Sequence, residues 1–140
     1  MLTERFIAQG MTPEESTEAI IPFIYDAATP RARIDEDMAV RMKWYPTLHG
    51  YMGQLQGIMS WEAYSRLPQI TASTLVVHGE TDRLVPAANG KLIAASIPGA
   101  KLVLIPNASH IFETDQPGVA ERAILEFLVA QSSLTHHTGA

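Results

Sequence analysis

Apolar residues recur at helical spacing through the first half of the chain. The stretch Thr12–Glu15 has the form of a helix start, with a capping threonine, a proline at the first helical position and a glutamate that completes a capping box. The apolar face of this helix would consist of Ile20, Ile21 and Ile24. Pro22 removes a helical hydrogen bond, so we expect it to kink or split the helix.

Two further helices follow in this half. The acidic run Asp35–Asp37 carries negative charge of the kind that helix N-termini favour, and Pro46 ends that element. From Thr47, apolar side chains again follow helical spacing, at Leu48, Tyr51, Met52, Leu55 and Met59. We therefore predict a helical region over residues 1–69.

The second half has a different pattern, with two short and unbroken apolar runs. Thr74–Val77 and Lys101–Ile105 are typical of strands in a parallel sheet that is covered on both faces. The helical stretch Ala87–Ile97 lies between them, which makes a right-handed β-α-β unit. A last helix is predicted from Pro117 to Gln131. Its buried face would consist of Val119, Ala123, Ile124, Phe127 and Leu128.

The predicted fold class is therefore α/β, with a helical half followed by a β-α-β-α unit over residues 70–131. Residues 132–140 are small and polar, and are predicted to form a frayed tail in which the neighbouring histidines 136 and 137 are solvated rather than metal-binding. A chain of 140 residues is long enough to bury one hydrophobic core.

Composition narrows the classes of function. Fifteen acidic and ten basic residues give a net charge of −5, which argues against nucleic acid and against an anionic membrane surface as partners. The absence of cysteine excludes disulfides, thiolate metal sites and a cysteine nucleophile. No apolar run has the length of a membrane span, and the first residues lack the pattern of a signal peptide. We expect a cytoplasmic protein without metal or cofactor.

Candidate chemistry lies just after each predicted strand. Asp82 follows the first strand and His110 follows the second. Because functional residues of parallel sheets gather at the carboxyl ends of the strands, we expect the two side chains to be neighbours. A carboxylate beside an imidazole is the orienting half of a Ser-His-Asp triad.

The stretches around these residues resemble the α/β-hydrolase family. His78–Pro86 matches the family pattern His-Gly-x-x-Asp-x-x-Val-Pro, and Asn107–His110 resembles the small-residue turn that carries the histidine. The resemblance extends from Ile70 to Gln131, and residues 1–69 resemble the helical cap of the family. It implies that Asp82 and His110 are catalytic, and that the substrate is a small-molecule ester or lactone.

Other residues have a structural and a functional interpretation side by side. Asp82 could stabilise a turn, and His78 and Ser109 are expected to be structural, whereas Glu80 and Arg83 are expected to be solvated charges. The large side chains of the helical half fit a core. The resemblance implies instead that some line a substrate pocket, namely Trp44, Tyr51, Met52 and Trp61.

The sequence departs from the family at the nucleophile. None of its eight serines has a glycine two positions before or after it, so there is no Gly-x-Ser-x-Gly elbow. Two hypotheses follow. The chain is the acid- and histidine-bearing part of an ester or lactone hydrolase, with little activity alone, or it is a non-catalytic module that binds itself or a partner. An incomplete sheet with open edges also favours a homo-oligomer, most simply a two-fold dimer.

Overall fold

The computed structural model describes residues 10–135, with side chains to residue 132. The first half is helical, as expected. It contains the helices α1 (Pro13–Ile24), α2 (Arg31–Arg41) and α3 (Leu48–Ser60), and the 3₁₀ turns Met42–Trp44 and Tyr64–Gln69.

The second half alternates strand and helix. It contains β1 (Leu75–Gly79), α4 (Ala87–Ser96), β2 (Lys101–Ile105), a short helix α5 (Phe112–Asp115) that the sequence did not predict, and α6 (Val119–Thr135). The last helix continues four residues beyond Gln131, into the segment that was expected to be a tail. The histidines at 136 and 137 lie outside the described residues, as do residues 1–9.

Helix α1 begins with the predicted capping box. The Thr12 hydroxyl accepts the Glu15 N–H at 3.2 Å, and the Glu15 carboxylate accepts the Thr12 N–H at 2.8 Å. The expectation that Pro22 would split the helix is wrong, because α1 continues through it to Ile24. Pro22 lies in the last turn, where its missing N–H removes one hydrogen bond and no further turn remains to be displaced.

Helix α2 begins four residues before the predicted acidic start. Pro30 precedes its first residue, and Asp35 lies in its interior. The acidic side chains pair with arginines one turn away instead of capping the helix. Arg31 contacts Asp35 at 2.6 Å, and Arg41 contacts Asp37 at 2.8 Å.

The helical half has its own small core, which joins α1 to α2. Its buried members are Ile24, Tyr25, Ile34 and Met38. The Tyr25 hydroxyl donates to the Asp37 carboxylate at the edge of this core. Burial, and then the hydrogen bond to Asp37, raise the pKa of the Tyr25 phenol above its usual range, so the group stays neutral and keeps its proton for this contact.

The two strands pair in parallel, which confirms the predicted β-α-β unit. The register runs from Leu75 opposite Lys101 to Gly79 opposite Ile105. Burial increases toward the carboxyl ends of both strands. Gly79 and Ile105 are buried there, whereas Leu102 near the amino end of β2 is 36% exposed. The expectation that both faces are covered throughout is therefore wrong for the described residues: only the carboxyl ends are enclosed.

Helix α6 packs on the sheet through a narrower face than predicted. Ala120 is fully buried, and Ala123 and Phe127 are half-buried along the same side. Three members of the predicted buried face are exposed instead, namely Val119, Ile124 and Leu128. Two neighbouring strands are only about 4.8 Å apart, so they cover a thin strip of a helix and leave its flanks open.

The turn that carries His110 lies between two cores. Ala108 is fully buried with Ile105 and Ala120 in the core of the α/β unit, and Phe112 packs against that core. Ile111 packs instead against the core of the helical half. Side chains on both sides of His110 therefore anchor this turn to different parts of the molecule.

Gly79 lets the turn approach the end of β1. A Cβ atom at this position would stand 2.0 Å from the carbonyl oxygen of Ser109 and 2.5 Å from that of Ala108. Both atoms belong to the backbone, so they cannot rotate away as a side chain would. The glycine after His78 is therefore a packing requirement.

We expect Gly79→Ala to lower the free energy of unfolding by about 3 kcal/mol, because the turn before His110 must move to admit a methyl group. Gly53→Ala in α3 is the matched control. Its Cβ would meet no atom within 4 Å, so the better helix propensity of alanine should raise stability by about 0.5–1 kcal/mol. Urea denaturation measures both, and equal effects of the two substitutions would contradict the close approach.

Candidate active site

Asp82 lies in the loop after β1 and is 8% exposed. Its Oδ1 accepts the backbone N–H groups of Leu84 at 2.9 Å and Val85 at 2.8 Å. This is the turn-stabilising role that the sequence left open, and it fixes the orientation of the carboxylate. Oδ2 remains for a different partner.

His110 supplies that partner, and the expected proximity is confirmed. Its Nδ1 lies 2.9 Å from Asp82 Oδ2. A carboxylate only accepts hydrogen bonds, so Nδ1 carries the proton in the neutral ring. The His110 side chain is 37% exposed, and among the described residues no group is hydrogen-bonded to Nε2.

The arrangement of Asp82 and His110 allows a proton to move to and from His110 Nε2. With Nδ1 protonated and held by Asp82, the Nε2 lone pair is free to accept a proton, and the carboxylate stabilises the imidazolium that results. Both roles of Asp82 that were weighed from the sequence thus coexist, because each uses a different oxygen atom.

His78 lies behind this pair. Its Nε2 donates to the carbonyl oxygen of Val85 at 2.8 Å and stands 3.4 Å from Asp82 Oδ2. Its ring packs against Gly90, where an added Cβ would approach Nδ1 to 2.9 Å. These contacts favour the structural interpretation of His78, as a brace for the Asp82 loop.

Ser109 precedes His110 but is enclosed. It is 1% exposed, its hydroxyl donates to the carbonyl oxygen of Phe23 at 3.3 Å, and its N–H donates to Asp115 Oδ2 at 2.6 Å. The hydroxyl is thus directed to the backbone of α1, which agrees with the expected role of Ser109 in shaping the turn.

Sequence reasoning missed one contributor to the site, Asp115. Asp115 is 4% exposed and accepts the Ser109 N–H next to His110. Arg83 is exposed, as expected of a solvated charge, and its guanidinium lies 5.6 Å from the centre of the Phe23 ring and donates to the Pro22 carbonyl oxygen at 3.4 Å. The acidic composition of the segment around Asp115 gave no sign of burial, because a helix of four residues is too short to show periodicity.

The structure does not gather the four aromatic and methionine candidates into one cavity. Trp44 is 82% exposed, and Trp61 is 69% exposed with the Arg66 guanidinium 4.9 Å above its ring. Tyr51 lines a cavity of about 310 Å³ that also contains the hydrogen-bonded hydroxyls of Ser16 and Tyr45.

Met52 lies elsewhere, in an open groove of about 590 Å³ along α3.

Within residues 10–135, no three His, Asp or Glu side chains are grouped to hold a metal ion. No helix in that part of the chain combines the length and apolar character of a transmembrane span.

Known proteins are similar to this chain in sequence and in fold. A family model described as the α/β hydrolase fold matches residues 11–115, so the chain belongs to the α/β-hydrolase family. The chain is 27% identical over 123 residues to a provisionally named carbamate hydrolase, RutD of Pseudomonas savastanoi pv. phaseolicola, and the match covers 86% of this chain and 48% of that protein.

Two further comparisons agree with that family. The chain is 35% identical over 71 residues to the 2-hydroxy-6-oxo-6-phenylhexa-2,4-dienoate hydrolase of Delftia acidovorans, which covers 51% of this chain and 25% of that enzyme. A thermophilic esterase from Thermogutta terrifontis superposes with a TM-score of 0.75 at 26% identity, over 92% of this chain and 47% of the esterase. The chain therefore spans about half the length of its relatives or less, and it has a partial α/β-hydrolase fold.

We expect Asp82→Ala to cost more stability than His110→Ala. The first substitution leaves the N–H groups of Leu84 and Val85 without their acceptor and should cost about 2 kcal/mol. The second removes a side chain that is 37% exposed and should cost less than about 1 kcal/mol. Thermal or urea unfolding gives both values, and a larger loss in His110→Ala would contradict the turn role of Asp82.

Proposed function

We propose that this chain supplies the acid and the base of a hydrolase site. Asp82 orients His110, and His110 Nε2 takes the proton of a nucleophile and returns it to the leaving group. The observation that carries the proposal is the 2.9 Å hydrogen bond from His110 Nδ1 to a buried carboxylate. That bond selects the tautomer that general base catalysis needs.

The nucleophile comes from residues outside this sequence. The sequence contains no nucleophile elbow, and the serine nearest to His110 along the chain is buried with its hydroxyl on the Phe23 carbonyl oxygen. The site is complete only together with a segment that presents a serine at Nε2 and donors for the oxyanion.

The substrate class that we propose is a small ester or lactone, as the resemblance implies. The named relatives are hydrolases, and one of the structural matches is an esterase. In such acyl transfer, the serine attacks the carbonyl carbon as His110 takes its proton. His110 then protonates the departing alcohol, and water repeats the sequence to release the acid.

The helical half serves as the cap of this site in our proposal, with residues 1–69 as the cap and residues 70–131 as the catalytic segment. Support comes from the packing of Ile111 against the helical core and from the hydrogen bond from the Ile111 N–H to the Ile24 carbonyl oxygen at 2.9 Å. Of the four proposed pocket residues, Tyr51 has the best support, because it lines a cavity of about 310 Å³.

The isolated chain should hydrolyse p-nitrophenyl acetate at little more than the rate of free imidazole, because no nucleophile or oxyanion hole accompanies His110. The measurement is release of p-nitrophenol by the purified chain, with His110→Ala as the background. An ordinary enzymatic rate that His110→Ala abolishes would contradict the absence of a nucleophile from this chain.

A chimera tests the proposed roles directly. The chimera joins this chain to the part of the Thermogutta terrifontis esterase that it does not match. This chain thereby replaces the matching 47% of that enzyme. We expect esterase activity that Asp82→Asn lowers by about 10⁴-fold and His110→Ala by about 10⁶-fold, as loss of the matching triad members does elsewhere.

The matched control for the chimera is His49→Ala, which removes an exposed histidine on α3. This variant should retain activity within about twofold. An active chimera in which His110→Ala and His49→Ala are equivalent would overturn the catalytic roles of Asp82 and His110.

Self-association without catalysis is the second candidate function. The observation that favours it is the number of large apolar side chains exposed on α3 and α6, including Ile58 at 68%, Met59 at 74% and Leu125 at 61%. In the described part of the chain each strand also pairs along only one edge. Apolar patches and open strand edges are both common features of interfaces.

Sedimentation equilibrium at micromolar concentration measures this second candidate. A homodimer should sediment at about twice the 15.3 kDa mass of one chain. We expect this species because a symmetric partner can cover both the exposed apolar side chains and the open strand edges. As a control, Ile58→Lys and Leu125→Lys should shift the equilibrium toward monomer. A single species of 15.3 kDa would contradict self-association.

A further inference from the structure

Asp115 is a buried carboxylate that the proposed mechanism does not use. It is 4% exposed and accepts three hydrogen bonds. The donors are the Ser109 N–H at 2.6 Å, the Asp26 N–H at 3.1 Å and the Thr29 hydroxyl at 2.6 Å. In the described part of the chain no cation pairs with this carboxylate, since Arg33 donates to the backbone carbonyl oxygens of residues 114 and 115.

The two oxygens of Asp115 serve different halves of the molecule. Oδ2 holds the backbone next to His110, whereas Oδ1 holds the turn that follows α1 in the helical half. A side chain used only to end α5 would need neither contact. Because its two oxygens accept from different segments, the Asp115 carboxylate links the turn that carries His110 to the helical half.

The backbone on both sides of His110 is held in this way. The Ser109 N–H goes to Asp115, and the Ile111 N–H goes to the carbonyl oxygen of Ile24. A rotation of either peptide group would swing the imidazole away from Asp82. The position of the ring thus depends on contacts that originate outside the Asp82 loop.

A second link repeats this connection from the side of Asp82. The Thr81 hydroxyl donates to Asp26 Oδ2 at 2.6 Å, and the Thr81 N–H donates to the Ala108 carbonyl oxygen at 2.9 Å. The turn at Asp26 therefore contacts the loops of both members of the pair. Asp115 is the most buried charged group in this set.

We propose that Asp115 is a positioning residue for His110, which it holds in register with Asp82 by fixing the Ser109 peptide against the Asp26–Thr29 turn. This inference deepens the proposed function and rests on it. It assigns no contact between Asp115 and substrate. It also makes the geometry of the pair depend on the helical half.

The substitution Asp115→Asn separates this role from bulk packing. Asparagine has the same shape but offers one acceptor oxygen and an NH₂ group. Whichever way the amide lies, its NH₂ group faces either the Ser109 N–H or the Asp26 N–H, so one link is lost. Asp37→Asn is the matched control, because Asp37 accepts from Tyr25 and Arg41 within the helical half and does not contact the His110 turn.

The test is NMR of the full chain, with exchange of the His110 Nδ1 proton and the Ser109 amide proton as readouts. In Asp115→Asn we expect both protons to exchange at least about tenfold faster than in the unsubstituted chain. In Asp37→Asn they should change less than about twofold once the rates are corrected for the measured loss of global stability. Asp82→Asn is the reference variant, since it gives the exchange rate of the His110 Nδ1 proton when the Asp82–His110 pair is broken.

Unchanged exchange of both protons in a folded Asp115→Asn variant would overturn the proposal. If that variant does not fold, Thr29→Val removes one donor and keeps the carboxylate. It should speed exchange of the Nδ1 proton by about threefold, and no change would again overturn the proposal. If the unsubstituted chain lacks a protected Nδ1 proton, the proposed function fails, whereas the Ser109 amide still decides the role of Asp115.

Discussion

The rest of the structure depends on how closely the turn before His110 approaches the end of β1. The approach is possible because residue 79 has no side chain, and it lets the Ala108 carbonyl oxygen accept the Thr81 N–H at 2.9 Å. That contact joins the loop that carries Asp82 to the turn that carries His110. Both loops leave neighbouring strands at the same edge, so one short backbone contact fixes their separation before any side chain interacts.

The site combines stability and chemistry in the same groups. One oxygen of Asp82 closes a turn, while the other orients His110. Such sharing makes the pair rigid, because the carboxylate cannot rotate away from the imidazole without breaking its bonds to the backbone. The contacts that position the pair come from residues near it in the fold, so the pair is formed in a chain that holds only part of the family fold.

The sequence predicted the elements with local signals and missed those that depend on partners. The capping box at Thr12, the two strands and the proximity of Asp82 and His110 follow from patterns within a few residues or from strand order. The start of α2 and the buried face of α6 did not, because arginine pairing and a narrow sheet decided them. The burial of Asp115 depends on donors 86 and 89 residues away along the chain, which no local pattern records.

Because burial increases along the strands, the two ends of the sheet differ in how easily they unfold. At the amino ends, Lys101 and Leu102 are exposed, whereas at the carboxyl ends Gly79 and Ile105 are enclosed. Local unfolding begins where few apolar contacts must be broken, so the sheet frays from the end that lies away from His110. Asp82 and His110 therefore follow the more persistent ends of the two strands, and fluctuations of the open end reach them last.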